Sequence, residues 1–255
     1  MILAIDIGNT STGIGVFDEI SKELIHEFKL TSDKKRSSDE YGLLLHYYLS
    51  NFKILENING AIISSVVVNL GECYKEAIKK FFNIDAILVN HKTKTNIKLR
   101  IDKPEEIGAD RLVNGHYVSL KYKLPAIVVD FGTATTFDIV NKNAEFVGGI
   151  ITAGVKLQAE TLGNFTSKLP KLKIEAPKNT IGTNTIDAML SGIVKGHANM
   201  IDGLLEQCEK ELGEKATVIA TGGYTSIVEN QMKRKFDYID LNLTLKGLLE
   251  LYLIN

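Results

Sequence analysis

Two segments of the sequence place an aspartate, a glycine and several hydroxyl side chains directly after an apolar run. The first reads ILAIDIGNTSTGIGVF (2–17) and contains Asp6, and the second reads AIVVDFGTATTFDIV (126–140) and contains Asp130. A carboxylate at the end of a buried strand is costly unless a cation or hydrogen-bond donors meet it. The glycine and the successive main-chain N–H groups beside it suit phosphate oxygens. The pattern therefore predicts two turns that hold a metal ion and a phosphate chain.

Both segments differ from the common phosphate-binding motifs. Neither matches the GxxxxGK[ST] loop or the GxGxxG fingerprint, and each leads into a second apolar run rather than a helix. Binding of phosphate at a helix N-terminus is therefore not expected. Two facing turns that bind one nucleotide from opposite sides would explain why the pattern occurs twice. The alternative is chance repetition, because an Asp-x-Gly turn after a strand is common.

Apolar periodicity divides the chain into two halves that open alike. In the first half it predicts strands at 2–6, 13–17, 24–30, 60–66 and 85–89, and helices at 37–52 and 70–82. A helix at 103–122 leads to the second half, with strands at 126–130, 134–140, 145–151 and 216–223, helices at 154–162, 183–212 and 241–254, and a loop at 167–179. Three strands before the helices in each half predict a duplicated α/β fold with mixed sheets and a cleft between the halves. The predicted domains are residues 1–115 and 116–255.

Composition narrows the classes of protein that fit. The 255 residues carry 30 Lys and Arg against 31 Asp and Glu, so no overall basic field favours nucleic acid or an anionic membrane. No apolar stretch approaches the roughly 18 residues of a membrane span, and no secretion signal opens the sequence. We expect a cytoplasmic protein in which Cys73 and Cys208 stay reduced. The five histidines lack metal-ligand spacing, which favours surface or packing roles.

Further motifs add a family resemblance. The two turns and the later pair Gly222 and Gly223 resemble the nucleotide-binding core of the actin-like (ribonuclease H-like) superfamily of sugar and acetate kinases. AIDIGNT, GADR (108–111), DFGTATT, GG (148–149) and IGTNTIDAMLSG (181–192) follow one another as in type III pantothenate kinases. TSDKKRSSDEYG (31–42) also resembles that family. The resemblance covers nearly the whole chain and implies two actin-like domains with a nucleotide cleft between them.

The family resemblance implies phosphorylation of pantothenate to 4'-phosphopantothenate, the first step of coenzyme A biosynthesis. It implies ATP with Mg²⁺, a monovalent cation (K⁺ or NH₄⁺) and a homodimer. Asp6 would orient the magnesium, Asp130 would hold the monovalent cation and Asp110 would be the catalytic base. ATP binding is implied for Asp6, Ile7, Gly8, Asn9, Thr10, Ser11, Thr12, Gly13, Thr133, Gly222 and Gly223. Pantothenate binding is implied for Ile101, Gly108, Ala109, Asp110, Arg111 and Thr185, the last near the dimer interface.

The role of Asp110 as the base is also reasonable on physical grounds. Phosphoryl transfer to an alcohol needs the hydroxyl oxygen in line with the γ-phosphate and an acceptor for its proton. A carboxylate is too weak a base to ionise the alcohol beforehand, but it can accept the proton late in a loose transition state. Without the family pattern, Asp110 and Arg111 read instead as a solvated pair on a helix.

Two positions depart from the family pattern, and two other functions stay open. Ile101 stands where the family carries a tyrosine that helps enclose pantothenate, and Ala153 replaces a proline in the glycine segment. The first alternative is a kinase of the same superfamily that acts on another small alcohol. The second is a non-catalytic regulatory protein of the same fold, which would have no need of Asp110 as a base. Pantothenate binding and turnover separate the three.

Overall fold

The computed structural model describes residues 1–166 and 168–255. This part of the chain clusters into two compact units, one formed by Met1–Leu120 with Asn242–Asn255 and the other by Lys121–Leu241. Each unit has its own mixed sheet and its own apolar core.

The first unit opens with three strands before its first helix. Its strands are β1 (Ile2–Ile7), β2 (Ser11–Phe17), β3 (Leu24–Thr31), β4 (Gly60–Ser65), β5 (Ile87–Leu88) and β6 (Lys98–Leu99), and its helices are α1 (Ser38–Asn51), α2 (Leu70–Phe82) and α3 (Ala109–Lys121). The central strand β1 pairs antiparallel with β2 and parallel with β4. The resulting sheet has the order β3-β2-β1-β4-β5.

Local sequence explains where α1 begins and which face it buries. Ser37 and Glu40 form a capping box, in which Glu40 N–H donates to Ser37 Oγ and Ser37 N–H donates to Glu40 Oε2. Tyr41, Leu45 and Leu49 then follow at intervals of four and are fully buried in the core of the unit. The helix therefore buries Tyr41 in the core of the unit that contains β1 and β2.

The second unit repeats this arrangement. Its strands are β7 (Ala126–Phe131), β8 (Ala134–Val140), β9 (Glu145–Ala153), β10 (Thr217–Gly222) and β11 (Tyr238–Ile239), and its helices are α4 (Val155–Phe165), α5 (Thr185–Leu190), α6 (Gly196–Leu212) and α7 (Thr225–Glu229). A π-helical turn at Ser191–Lys195 joins α5 to α6. The five strands of this unit follow one another in the order β9-β8-β7-β10-β11, which matches the five-stranded order of the first unit.

The equivalence of the units extends to the register of their opening hairpins. Asp6 pairs with Gly13 across β1 and β2, and Asp130 pairs with Thr136 across β7 and β8. Each aspartate is the single partly exposed residue in a strand that is otherwise buried. The prediction of two similar α/β halves with mixed sheets is confirmed.

The C-terminal helix α8 (Leu243–Tyr252) belongs to the first unit. It packs on β1, β2 and β4, and Gly247 lets it approach α3 so closely that a Cβ there would lie 2.7 Å from Val113 Cγ1. The helix that the sequence predicts at 241–254 is therefore present. The predicted domain boundary between residues 115 and 116 falls inside α3, and the compact units divide after Leu120 instead.

Several element bounds differ from the prediction for local reasons. The helix predicted over 103–122 begins only at Ala109, because a short 3-10 turn at Pro104–Glu106 and Gly108 precede it. The helix predicted over 183–212 is interrupted by the π-helical turn. Residues 168–179 form no helix or strand, in agreement with the predicted loop, whose first residue, Ser167, lies outside the described residues.

Candidate functional site

The first turn connects β1 to β2 through Gly8, Asn9 and Thr10. Gly8 N–H donates to the Ser11 carbonyl oxygen at 3.1 Å, which closes the turn. Asn9, Thr10 and Ser11 are exposed at the end of the hairpin. Ile7, by contrast, is buried in the core, so of this residue only the main chain lies at the turn.

The segment that follows β3, at Ser32 and Asp33, stabilises this turn through hydrogen bonds. Ser32 N–H donates to the Thr10 carbonyl oxygen at 3.2 Å, and the Ser32 and Thr12 hydroxyls are 2.9 Å apart. Tyr41 then holds the segment itself, because its hydroxyl accepts from Asp33 N–H and donates to the Asp33 carbonyl oxygen, both at 2.9 Å. The hydroxyl of Thr12 is therefore turned into the protein.

Asp6 lies beside the first turn with Gly13 and Ser64 as its strand partners. A Cβ on Gly13 would meet no atom within 4 Å, so open space lies there. Burial raises the pKa of Asp6 to about 7; the Asp110 carboxylate also raises this pKa, while Ser64 lowers it. Ser64 Oγ is fully buried and has no hydrogen-bond partner of ordinary geometry among the described residues. Two half-buried carboxylates beside a buried hydroxyl form a donor set that suits a hard cation and its waters.

Asp110 enters the same neighbourhood from the first turn of α3. Its Oδ1 accepts a hydrogen bond from Arg111 N–H at 2.8 Å. A Cβ on Gly108 would lie 2.6 Å from this oxygen, so glycine leaves the room that the carboxylate occupies. Burial raises the pKa of Asp110, and the Arg111 N–H and guanidinium oppose the shift. The structure thus brings Asp6 and Asp110 together, although 104 positions separate them in the chain.

The second turn connects β7 to β8 through Gly132 and Thr133. Gly154 N–H donates to the Thr133 carbonyl oxygen at 3.0 Å. A Cβ on Gly154 would lie 2.5 Å from that oxygen and 2.6 Å from the Gly132 carbonyl oxygen. The end of β9 therefore packs directly on the second turn, and only glycine permits this approach.

Asp130 lies beside the second turn, next to the glycine pair that ends β10. Gly222 has φ +91°, and a Cβ on it would lie 2.6 Å from the backbone of Phe131 and 2.7 Å from Asp130 Oδ1. Gly223 is exposed, and a Cβ there would meet nothing within 4 Å. The second unit thus brings Asp130, Thr133 and Gly222 together at one edge of its sheet.

Three further positions that the sequence singles out lie outside the two turns themselves. Thr185 is the first residue of α5 and is exposed, next to Asn184, whose side chain accepts from Asp187 N–H at 2.9 Å. Ile101 is half-buried in a bend that precedes α3. Ala153, the other departure from the family pattern, ends β9 beside Gly154.

The sequence patterns indicate no site role for Ser64, Ser32 or Tyr41. Ser64 could have been found from its position at the end of the apolar strand GAIISSV (60–66). This strand runs parallel to β1, so the two strands end at the same edge of the sheet. Among the described residues, no three His, Cys, Asp or Glu side chains converge into a metal-binding group. In the same part of the chain, no helix is both long and apolar enough to cross a membrane.

Two mixed sheets with equivalent topology define the fold of the actin-like sugar kinases. A solved structure of a candidate 2-dehydro-3-deoxygalactonokinase from Sinorhizobium meliloti has a TM-score of 0.62 at 14% identity, covering 98% of this chain and 97% of that one. A candidate Baf family transcriptional activator from Campylobacter jejuni has a TM-score of 0.60 at 20% identity, covering 99% and 98%. At these identities the likeness shows the fold alone.

The sequence itself identifies the family. Residues 2–207 match the type III pantothenate kinase family. The type III pantothenate kinase of Syntrophus aciditrophicus (strain SB) is 40% identical over 253 residues, which are 99% of this chain and 98% of the relative. The chain belongs to the type III pantothenate kinase family, a family of enzymes that use ATP with Mg²⁺.

Proposed function

We propose that this chain transfers the γ-phosphoryl group of ATP to the hydroxyl of pantothenate and so forms 4'-phosphopantothenate, the first step of coenzyme A biosynthesis. The observation that carries the proposal is the pair of half-buried carboxylates of Asp6 and Asp110, in a chain that belongs to a pantothenate kinase family along its length. A metal-binding carboxylate next to a base is the arrangement that phosphoryl transfer to an alcohol requires.

Asp110 is the proposed base. As the pantothenate oxygen forms its bond to the γ-phosphorus, the bond from that phosphorus to the bridging oxygen of ADP breaks, and the hydroxyl proton passes to an Asp110 carboxylate oxygen. Burial raises the pKa of this carboxyl, which strengthens it as a proton acceptor. The hydrogen bond from Arg111 N–H fixes one oxygen and leaves the other for the substrate.

Asp6 and the first turn are proposed to hold MgATP. The two half-buried carboxylates and the buried Ser64 hydroxyl fit a magnesium ion with its waters better than they fit an empty interior. The ion would neutralise charge on the phosphate oxygens. The main chain of Ile7 and Gly8 and the residues that follow to Gly13 would contact the phosphates, with Thr12 acting through its backbone because its hydroxyl is paired with Ser32.

The second unit is proposed to supply the rest of the nucleotide site. Thr133 would contact the phosphate chain, and Asp130 would bind a monovalent cation, K⁺ or NH₄⁺. Gly222 and Gly223 would lie by the adenosine, where the open space beside Gly223 suits a ligand.

Pantothenate is proposed to bind at Gly108–Arg111 with Ile101 closing the pocket apolarly. Thr185 would complete the pocket from a second copy of the chain, so the proposed assembly is a homodimer. Large exposed apolar side chains around α4 and α5 support an interface there: Ile151, Phe165, Ile181 and Ile186. The two free cysteines suit the reducing cytoplasm, which is the proposed location.

The test is incubation of the purified chain with MgATP, K⁺ and pantothenate, with ADP release and the mass of the product as readouts. Formation of a product heavier by one phosphoryl group supports the proposal. Pantothenate binding in a calorimeter without turnover would favour a regulatory protein of the same fold. Turnover of another small alcohol in preference to pantothenate would favour a different kinase.

A further inference from the structure

His197 is a buried histidine of α6 whose two ring nitrogens both have partners in the second unit. The residue is 2% exposed. Its Nε2 lies 2.9 Å from the hydroxyl of Thr135, and its Nδ1 lies 3.0 Å from Nε2 of Gln158 on α4. Thr135 is fully buried and belongs to β8, two residues after Thr133. The histidine thus links two helices to the strand that leaves the second turn.

The hydrogen-bond network determines which nitrogen of His197 carries the proton. Gln158 Nε2 also donates to the Ala153 carbonyl oxygen at 2.8 Å, so this atom is the amide nitrogen and can only donate. Nδ1 of His197 therefore accepts, and Nε2–H donates to Thr135 Oγ1. Burial lowers the pKa of His197 to about 4, which keeps the ring neutral and this direction of donation fixed near neutral pH.

The hydrogen-bond network of His197 reaches the second turn at both of its ends. Ala153, which accepts from Gln158, directly precedes Gly154, and Gly154 N–H donates to the Thr133 carbonyl oxygen at 3.0 Å. One end of the network therefore holds Thr133 through Gly154, and the other holds Thr135 through His197. Thr135 pairs with Phe131 in the sheet, so it faces the side opposite to Asp130 and Thr136.

We propose that His197 is a positioning residue for nucleotide binding, which holds the turn at Gly132–Thr135 in the shape that accepts the phosphate chain. This inference rests on the proposed function, because it assumes that the second turn binds nucleotide. His197 does not touch the nucleotide, since it lies on the other face of the sheet and acts through Thr135. Its removal leaves a buried threonine hydroxyl without its donor and frees one end of the turn.

The test compares His197→Phe with His197→Gln by calorimetric titration of the full chain with Mg-ADP, without pantothenate. Phenylalanine keeps a ring beside Phe131 and removes both hydrogen bonds, whereas glutamine can place an amide N–H near the position of Nε2. Loss of one or two buried hydrogen bonds should weaken Mg-ADP binding about tenfold in His197→Phe. His197→Gln should restore most of that loss.

His116 provides the matched control. It is also fully buried, burial lowers its pKa to about 4, and its Nδ1 accepts from Asn96 N–H at 3.1 Å in the first unit. His116→Phe should lower thermal stability and leave the Mg-ADP dissociation constant unchanged. Equal dissociation constants for His197→Phe and the wild type would overturn the proposal. So would an equal weakening in His116→Phe, because the effect would then be a general loss of stability.

Thr135→Val keeps the proposal testable if His197→Phe fails to fold. Valine preserves the shape of threonine and removes only the hydroxyl, so it should weaken Mg-ADP binding as His197→Phe does, and the double variant should be no weaker than either single one. Additive losses would overturn the proposal, as would a wild-type chain that does not bind Mg-ADP. A wild type that binds Mg-ADP normally but does not phosphorylate pantothenate would refute the proposed function alone.

Discussion

Gly222→Ala tests the packing that places Asp130, and Gly213→Ala is its matched control. Both glycines have positive φ, +91° and +75° respectively. A Cβ on Gly222 would lie 2.6 Å from the backbone of Phe131 and 2.7 Å from Asp130 Oδ1, whereas a Cβ on Gly213 would meet nothing within 4 Å. The two substitutions therefore share the backbone strain and differ in the collision.

The magnitudes follow from these contacts. An alanine in the left-handed region costs roughly 1 kcal/mol, and both variants should lose about this much stability. Phe131 cannot retreat, because it is paired with both β8 and β10, so Gly222→Ala should lose about 1–3 kcal/mol more through overpacking. A loss of 1 kcal/mol lowers the melting temperature by about 2–4 °C in a chain of this size.

Two assays read the outcome. Thermal unfolding should place Gly222→Ala several degrees below Gly213→Ala. Titration of activity with K⁺ at saturating MgATP should give the wild-type midpoint for Gly213→Ala and a higher midpoint for Gly222→Ala, because the added methyl group displaces the Asp130 carboxylate. Equal melting temperatures for the two variants, together with a wild-type K⁺ midpoint in Gly222→Ala, would refute the reasoning.

Three further predictions concern other parts of the account. Gly223→Ala should raise KM for MgATP without changing the melting temperature, because its methyl group enters open space that we assign to adenosine; an unchanged KM counts against that assignment. Tyr41→Phe should lower stability by about 1 kcal/mol and weaken Mg-ADP binding, since Asp33 loses its partner below the first turn; unaltered binding in calorimetry would contradict this bracing role. Burial lowers the pKa of His116 and His197 to about 4, so each contributes stability that is complete above about pH 6.5 and lost as the pH falls toward 4. The wild type should therefore lose up to roughly 1 kcal/mol per pH unit more than His116→Phe across this range in urea unfolding, and identical slopes would disprove it.

Much of the fold follows from local patterns in the sequence. The apolar runs around Asp6 and Asp130 predict the two hairpins, because a strand buried on both faces needs nearly continuous apolar residues. Duplication then predicts the shared strand order. The place of α8 could not be predicted, since its apolar residues would cover either sheet and only tertiary packing against β1 and Val113 decides between them.

The candidate site divides in the same way. Asp6, Asp130 and the GADR segment are recognisable by residue type and spacing, because each stands in a short motif. Ser64 and His197 are not recognisable in this way, because their roles depend on partners that are distant in sequence. Ser64 meets Asp6 through the pairing of β4 with β1, and His197 meets Thr135, 62 positions earlier in the chain, through helix packing. The pKa of Asp6 is raised first by burial and then by the Asp110 carboxylate, and the part due to Asp110 could not be predicted from the segment of Asp6 alone.

The most direct test of the central claim is the steady-state kinetics of Asp110→Asn with pantothenate, alongside Mg-ADP binding by calorimetry. Asparagine has nearly the size of aspartate and can still accept the hydrogen bond from Arg111 N–H, but it cannot take up the proton of the pantothenate hydroxyl. We predict that kcat falls by about 10²–10⁴ while the Mg-ADP dissociation constant stays near that of the wild type. Turnover of pantothenate by Asp110→Asn at a rate near that of the wild type would contradict the account.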